Sequence, residues 1–170
     1  QMPLVEVSLA CYLIKKQDSR LLNIVNIGYT VDEDGVLNID GDFSILMEYG
    51  LGNLSNYIEF KKNKYWKEQE IISLYLQLLQ QVIILREYRV RHGDIKELNI
   101  IMTELGIFKF IDFSISDIFP EDADQKEINE AFQNEIKSVQ TIIMNILHND
   151  LTNYTHLSSL LNLVPDFDSF

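Results

Sequence analysis

The stretch that decides the fold of this chain is Arg91-His92-Gly93-Asp94-Ile95-Lys96-Glu97-Leu98-Asn99-Ile100-Ile101, followed closely by Phe108-Lys109-Phe110-Ile111-Asp112-Phe113-Ser114. The apolar runs in these stretches are separated by a turn at Glu104-Leu105-Gly106, and this pattern predicts a β-hairpin. Such a hairpin would return Asp112 to a position beside Asn99. The polar residues of the two stretches are therefore expected to share one site.

The types and spacing of these polar residues suggest a specific chemistry. A carboxylate at Asp94 can orient an attacking hydroxyl and accept its proton. Lys96 lies two residues further along an extended loop, so it points to the same side and can neutralise a γ-phosphate oxygen. Asn99 supplies a neutral oxygen and Asp112 an anionic one, which are ligands that Mg²⁺ prefers when substrate phosphates complete its shell. The spacing predicts phosphoryl transfer from Mg-ATP, with Asp94 and Lys96 catalytic and Asn99 and Asp112 binding the metal.

These motifs resemble the catalytic loop and the D-F-G element of the eukaryotic protein kinase family. Positions 94, 96 and 99 fit H-x-D-x-K-x-x-N. The resemblance implies an α+β, protein-kinase-like fold with a mainly helical C-lobe and a truncated N-lobe β-sheet. It implies one domain over residues 1–170, in which residues 1–47 form a partial N-lobe, residues 48–58 the hinge and the following helix, and residues 59–170 the C-lobe.

The same resemblance assigns residues to nucleotide binding. Met47 would be the gatekeeper that closes the back of the adenine pocket. Glu48 and Tyr49 would present backbone groups to the adenine edge, and Gly50 would let the chain bend at the pocket mouth. Ile101 is included among the expected nucleotide contacts. The implied cofactors are ATP and Mg²⁺.

Periodicity predicts the main elements outside the motifs. Apolar spacing predicts a helix over Val5–Lys16. Strands are predicted over Ile24–Val31 and Phe43–Met47. The segment Glu68–Tyr88 is apolar on nearly every side, which predicts a long buried helix. In the kinase comparison this helix leads directly into the catalytic loop.

The chain departs from the family at several positions. The sequence contains neither the Gly-rich loop nor the β3 lysine that should precede the first helix, although Glu6 is a candidate for the glutamate that pairs with that lysine. Ser114 stands where the D-F-G element ends in glycine. No A-P-E element follows it, and Glu135 lies where the D-x-W-S-x-G helix carries its aspartate, with Ser138 matching the serine.

These departures leave three functions open. The preferred one is ATP- and Mg-dependent phosphoryl transfer to a serine or threonine hydroxyl of a protein. A pseudokinase or kinase fragment that acts as a binding module would explain the absent phosphate loop and lysine. A small-molecule kinase with the same H-G-D loop would explain the missing A-P-E element.

The segment after Asp112 predicts a mode of regulation. Gly93 occupies a position where many regulated kinases carry an arginine that pairs with a phosphate, and residues 117–135 contain no hydroxyl side chain. Activity is therefore predicted not to require phosphorylation of this segment. Its order would come from apolar packing of Ile118, Phe119, Ile128 and Phe132.

Composition limits the remaining possibilities. A chain of 170 residues with 46% hydrophobic content can bury one core. The net charge of −12 argues against nucleic-acid and anionic-membrane surfaces. Cys11 is the single cysteine, and we find no apolar run of membrane-spanning length and no leader pattern. These features predict an intracellular protein, cytoplasmic or nuclear, and they leave its oligomeric state open. The kinase resemblance implies a protein as substrate or partner.

Two charged runs remain, and the sequence predicts that neither is a binding site. The acidic cluster at residues 32–42 lacks the glycine and glutamate spacing of a calcium loop, so it predicts solvated hairpin turns. The basic run at residues 61–67 predicts a solvated loop more strongly than a docking patch.

Overall fold

The computed structural model of the chain describes residues 2–35, 43–62, 64–148 and 150–163. Its elements are, in chain order, α1 (Met2–Lys16), β1 (Ile24–Tyr29), β2 (Phe43–Met47), β3 (Gly50–Asn53), α2 (Leu54–Lys61), α3 (Glu68–Glu87), β4 (Val90–Arg91), a 3₁₀ turn (Glu97–Asn99), β5 (Ile100–Thr103), β6 (Phe108–Phe110), β7 (Asp117–Ile118), α4 (Gln125–Ile146) and α5 (Thr155–Asn162). Helices dominate and the sheets are small, as expected for the predicted α+β class.

The N-terminal part consists of α1 packed on a two-stranded antiparallel sheet, β1–β2. Leu9, Ala10 and Leu13 form the buried face of the helix. The predicted helix and both strands are confirmed, but β1 ends at Tyr29, earlier than expected, because its last partner on β2 is Phe43. The predicted turn follows, and residues 36–42 of the acidic cluster lie outside the described residues.

Helix α3 is the centre of the core, and one part of the prediction for it was wrong. Ile71, Leu78 and Val82 are fully buried, since α4, α5 and strand β6 pack against this helix. Leu76 and Ile83 are 50% and 43% exposed. A helix that is apolar on every side is buried only where neighbours cover it, and within the described residues nothing covers this face.

The predicted hairpin is confirmed as β5 and β6, which form a three-stranded sheet with β3. Ile100 pairs with Phe110 in the antiparallel register. As predicted, the hairpin returns the chain to Asn99, because the amide of Ile111 donates to the carbonyl oxygen of Asn99 at 2.9 Å. This bond fixes the position at which Asp112 leaves the sheet.

Helix α4 packs along α3 and closes the core. Asp124 caps its N-terminus by accepting a hydrogen bond from the amide of Lys126 at 2.9 Å. Its inward face carries buried apolar residues, among them Ile128, Phe132 and Ile136. No helix in the described ranges has the length and hydropathy needed to cross a bilayer.

The basic run at residues 61–67 differs from the predicted solvated loop at two positions, Lys61 and Trp66, which are both buried. Lys61 is only 7% exposed, and its amine contacts both carboxylate oxygens of Glu70 at 2.8 Å. The same amine lies 4.4 Å from the centre of the Trp66 ring. A buried lysine is stable when it is paired in this way, whereas Lys62 and Lys64 are exposed as predicted.

Candidate active site

The loop between β4 and β5 contains a position that strongly favours glycine. Gly93 has a φ of 86°, in the left-handed region. A Cβ atom here would lie 2.8 Å from the carbonyl oxygen of Ile115. A side chain at this position is therefore strained by the backbone conformation, and it would also force the segment that follows Asp112 to shift.

His92 connects the loop to the Asp112 turn and is fully buried. Its Nδ1 accepts a hydrogen bond from the amide of Asp94 at 3.2 Å, so the proton is assigned to Nε2, which donates to the carbonyl oxygen of Ile111 at 3.0 Å. Burial lowers the pKa of His92, and this favours the neutral ring. His92 belongs to the motif, but its bridging contact with Ile111 was not predicted.

The predicted residues Asp94, Lys96 and Asn99 lie together in one cluster. The amine of Lys96 donates to Asp94 Oδ2 at 2.5 Å, and the side-chain amide of Asn99 donates to the same oxygen at 2.9 Å. The Lys96 hydrogen bond is the main cause of the lowered pKa of Asp94, and Asp94 in turn raises the pKa of Lys96. Both groups are therefore charged near neutral pH, and Asp94 Oδ1 has no donor among the described residues.

The oxygens of Asn99 and Asp112 are suitable for a hard cation. Asn99 uses its side-chain NH₂ on Asp94, which leaves its Oδ1 available. Asp112 has a φ of 64°, and its Oδ2 accepts no hydrogen bond from the described residues. In the described ranges, no group of three or more His, Cys, Asp or Glu side chains could hold a metal ion alone. The donor set thus fits Mg²⁺ when phosphate oxygens supply the rest of the shell.

The residues expected to contact the nucleotide lie along the edge between β2, β3 and β5. Met47 lines a small cavity together with Asp112. The amide of Glu48 is occupied by the carbonyl oxygen of Asn23 at 2.8 Å, so only its carbonyl remains for a ligand. A Cβ atom on Gly50 would lie 3.1 Å from the Ile101 side chain, so these two residues are in contact. The neighbouring Tyr49 is exposed.

An ion pair between a buried lysine and Glu48 was not predicted. Lys109 is 6% exposed, and its amine donates to Glu48 Oε1 at 2.7 Å and to the carbonyl oxygen of Ser19 at 3.0 Å. Glu48 Oε1 also accepts the amide of Asn23 at 2.7 Å. The pair lines a cavity of about 590 Å³. A lysine between two phenylalanines in a short apolar strand was the available signal, since such a side chain needs a buried partner.

Glu135 on α4 holds the catalytic loop through its backbone. Its Oε2 accepts the amide of His92 at 3.0 Å, and its Oε1 accepts the amide of Gly93 at 2.8 Å. Burial raises the pKa of Glu135, although both amide hydrogen bonds oppose the shift. The resemblance assigned Glu135 to a motif position, and the structure gives it two specific contacts.

Glu6 on α1 faces the same small cavity as Asp112 and Phe113. Burial raises the pKa of Glu6, and the nearby charge of Asp112 raises it further. No cation contacts Glu6 in the described part of the chain. Glu6 and Asp112 therefore face one cavity, close enough for the charge of Asp112 to affect the Glu6 carboxyl group.

The segment after Asp112 is held by polar contacts as well as by apolar packing. Arg91 forms an ion pair with Asp117, and the Arg89 side chain donates to the carbonyl oxygens of Phe119 and Glu121, each at 3.3 Å. Of the residues expected to order this segment by packing, Ile118 is 44% exposed, so that expectation was wrong for it. It lies in the two-stranded β4–β7 sheet, where backbone pairing fixes the chain and leaves the side chain in solvent. The expected packing holds for the other three residues, Phe119, Ile128 and Phe132.

Comparison with known proteins agrees with this geometry. The sequence matches the protein kinase domain over residues 12–134. It is 34% identical over 116 residues to the dual specificity protein kinase zakA of Dictyostelium discoideum, covering 68% of this chain and 14% of that protein. It is 31% identical over 100 residues to the serine/threonine-protein kinase pakH of the same organism, covering 59% of this chain and 20% of that protein. It is 36% identical over 74 residues to the serine/threonine-protein kinase TAO2 of Xenopus laevis, covering 44% of this chain and 7% of that protein. The chain therefore spans a small part of the length of these relatives.

Proposed function

This chain belongs to the protein kinase family, and from that membership we propose that it transfers the γ-phosphoryl group of ATP to a serine or threonine hydroxyl of a protein in a Mg²⁺-dependent reaction. The observation that carries the proposal is the hydrogen-bonded cluster of Asp94, Lys96 and Asn99. The partition into a partial N-lobe (1–47), a hinge with its helix (48–58) and a C-lobe (59–170) belongs to the same proposal.

In the proposed reaction, Asp94 acts on the acceptor hydroxyl. Its Oδ2 is engaged by Lys96 and Asn99, so Oδ1 is the oxygen that accepts the hydroxyl proton. The lowered pKa of Asp94 keeps it ionised, which suits it to orient the hydroxyl throughout the approach. Lys96 carries the positive charge that neutralises a γ-phosphate oxygen. His92 and Glu135 keep the loop in place and do not contact the substrate.

The metal and nucleotide are assigned to residues of this chain. Asn99 Oδ1 and Asp112 Oδ2 would hold Mg²⁺, which neutralises phosphate charge when bound. The carbonyl of Glu48 and the backbone of Tyr49 would face the adenine edge. Met47 would close the back of the adenine pocket, while Gly50 and Ile101 would line its mouth and floor.

One observation favours a second candidate, a pseudokinase-like binding module. Ser114 stands where the D-F-G element of the family has glycine, and its hydroxyl donates to Asp112 Oδ1 at 2.6 Å. Serine has less backbone freedom than glycine, so the Asp112 turn has less freedom to change conformation during a catalytic cycle. A chain that binds a partner without catalysing transfer would not need that freedom.

The deciding experiment compares wild type with Asp94→Asn. Radiolabelled ATP, Mg²⁺ and casein are used to measure transfer, and calorimetry measures ATP affinity. Asparagine cannot accept the hydroxyl proton, so transfer should fall by about 100-fold or more while ATP affinity changes little. Asp122→Asn is the matched control, because Asp122 is exposed and distant in sequence from the loop. Unchanged turnover in Asp94→Asn would refute the role of Asp94, and ATP binding without transfer in wild type would favour the binding module.

A further inference from the structure

The carboxylate of Asp112 is held by the residue two positions later. The hydroxyl of Ser114 donates to Asp112 Oδ1 at 2.6 Å, and the amide of Ser114 approaches the same oxygen at 3.3 Å. No other donor in the described part of the chain contacts this carboxylate. Asp112 itself is exposed, so without these contacts its side chain would be free to rotate.

The two contacts are unequal in strength. A hydroxyl that donates to a carboxylate at 2.6 Å is in the short range of charge-assisted hydrogen bonds. The amide contact at 3.3 Å is long and correspondingly weak. A glycine at position 114 would retain the weak contact and lose the strong one. The hydroxyl is therefore the group that fixes the Asp112 carboxylate.

The arrangement also determines which oxygen of Asp112 is available. A carboxylate oxygen has two lone pairs, and both donors of Ser114 are directed at Oδ1. Oδ2 accepts a hydrogen bond from neither of these donors. A divalent cation therefore meets Asp112 through Oδ2 alone unless the Ser114 hydroxyl is displaced.

We propose that Ser114 is a positioning residue for the cation site: its hydroxyl orients Asp112 so that Oδ2 is presented to the metal. The proposal rests on the assignment of Asp112 and Asn99 as metal ligands under the proposed function. Hydrogen bonds from a second residue to a ligating carboxylate fix its rotamer before the metal arrives, and their loss usually costs about 10- to 100-fold in metal affinity. Because Ser114 does not have a positive φ, its own replacement introduces no backbone strain.

The test measures Mn²⁺ binding by electron paramagnetic resonance, with Mn²⁺ alone and with ADP present. Ser114→Ala should weaken Mn²⁺ binding by about tenfold, because it removes only the hydroxyl. Ser114→Thr retains a hydroxyl and should restore binding close to that of wild type. Ser159→Ala is the control, since it removes an exposed hydroxyl that contacts only the carbonyl of Thr155 within α5. Melting curves of all variants confirm that each is folded.

The outcomes separate this inference from the proposed function. Equal or tighter Mn²⁺ binding in Ser114→Ala than in wild type would overturn the role of Ser114 alone. If Ser114→Thr binds Mn²⁺ no more tightly than Ser114→Ala, the role of Ser114 is also overturned, because the hydroxyl would then not be the group that orients Asp112. Absence of nucleotide-dependent Mn²⁺ binding in wild type would overturn the metal assignment itself, and the inference with it.

Discussion

Replacing Glu135 by glutamine tests whether α4 fixes the loop that carries Asp94. The carboxylate accepts the amides of His92 and Gly93 at 3.0 and 2.8 Å. Glutamine has nearly the same shape but a single accepting oxygen, so its NH₂ group would face one of these amide donors. The substitution removes one acceptor from a buried N–H with almost no change in side-chain volume.

The expected loss of stability follows from these contacts. A buried amide left without an acceptor costs about 1–3 kcal/mol. Burial raises the pKa of Glu135 by penalising its charged form, so neutral glutamine recovers part of the cost. We expect the free energy of unfolding to fall by about 2 kcal/mol, and the melting temperature by about 4–8 °C for a domain of this size.

Thermal unfolding and hydrogen exchange together measure this effect. The amides of His92 and Gly93 should lose protection in Glu135→Gln, whereas amides in the middle of α3 should lose only what the global destabilisation requires. Glu130→Gln is the control on the same helix, because its carboxylate is 68% exposed and lies 3.9 Å from Lys126. Unchanged stability together with unchanged protection of the Gly93 amide would refute the reasoning.

Two further predictions concern the same loop. Gly93→Ala should destabilise the fold by about 2 kcal/mol or more, because it adds a Cβ in a left-handed conformation and against the Ile115 carbonyl. Gly106 has a similar φ of 73° but open space around it, so Gly106→Ala should lose less stability. The difference between the two losses, measured by urea unfolding, gives the steric part. If both variants lose equal stability, the contact with Ile115 is not the cause. The lowered pKa of His92 predicts that stability is lost as the pH falls from 6.5 through the folded pKa, because the unfolded chain binds the proton first. The free energy of unfolding should fall by up to about 1.4 kcal/mol per pH unit in this range. His92→Gln should flatten this part of the stability curve, and an unchanged slope between pH 6.5 and 5 would exclude His92 as its source.

The sequence was sufficient where the signals are local. Strand β2 has the predicted bounds, and the hairpin of β5 and β6 returns Asp112 to Asn99 because alternation and turn residues are encoded within a few positions. The contacts among Asp94, Lys96 and Asn99 also depend on near neighbours in the chain.

The contacts that the sequence did not reveal connect distant segments. Lys109 meets Ser19, and Glu135 meets the amide of His92, over separations of 90 and 43 residues. Periodicity identified α3 as apolar all round, but it could not say which neighbours would cover Leu76. Burial of Lys61 depends likewise on the tertiary placement of Trp66 over its amine.

The contact between Glu48 and Lys109 has a mechanical consequence. Glu48 is anchored to Asn23 on one side and to Lys109 on the other, and Lys109 also binds the Ser19 carbonyl. These contacts join three segments at one point: the stretch after α1, the residue that follows β2, and strand β6. Loss of the Lys109 amine would therefore release the Ser19 carbonyl and the Glu48 carboxylate together, and would loosen both ends of the N-terminal part at once.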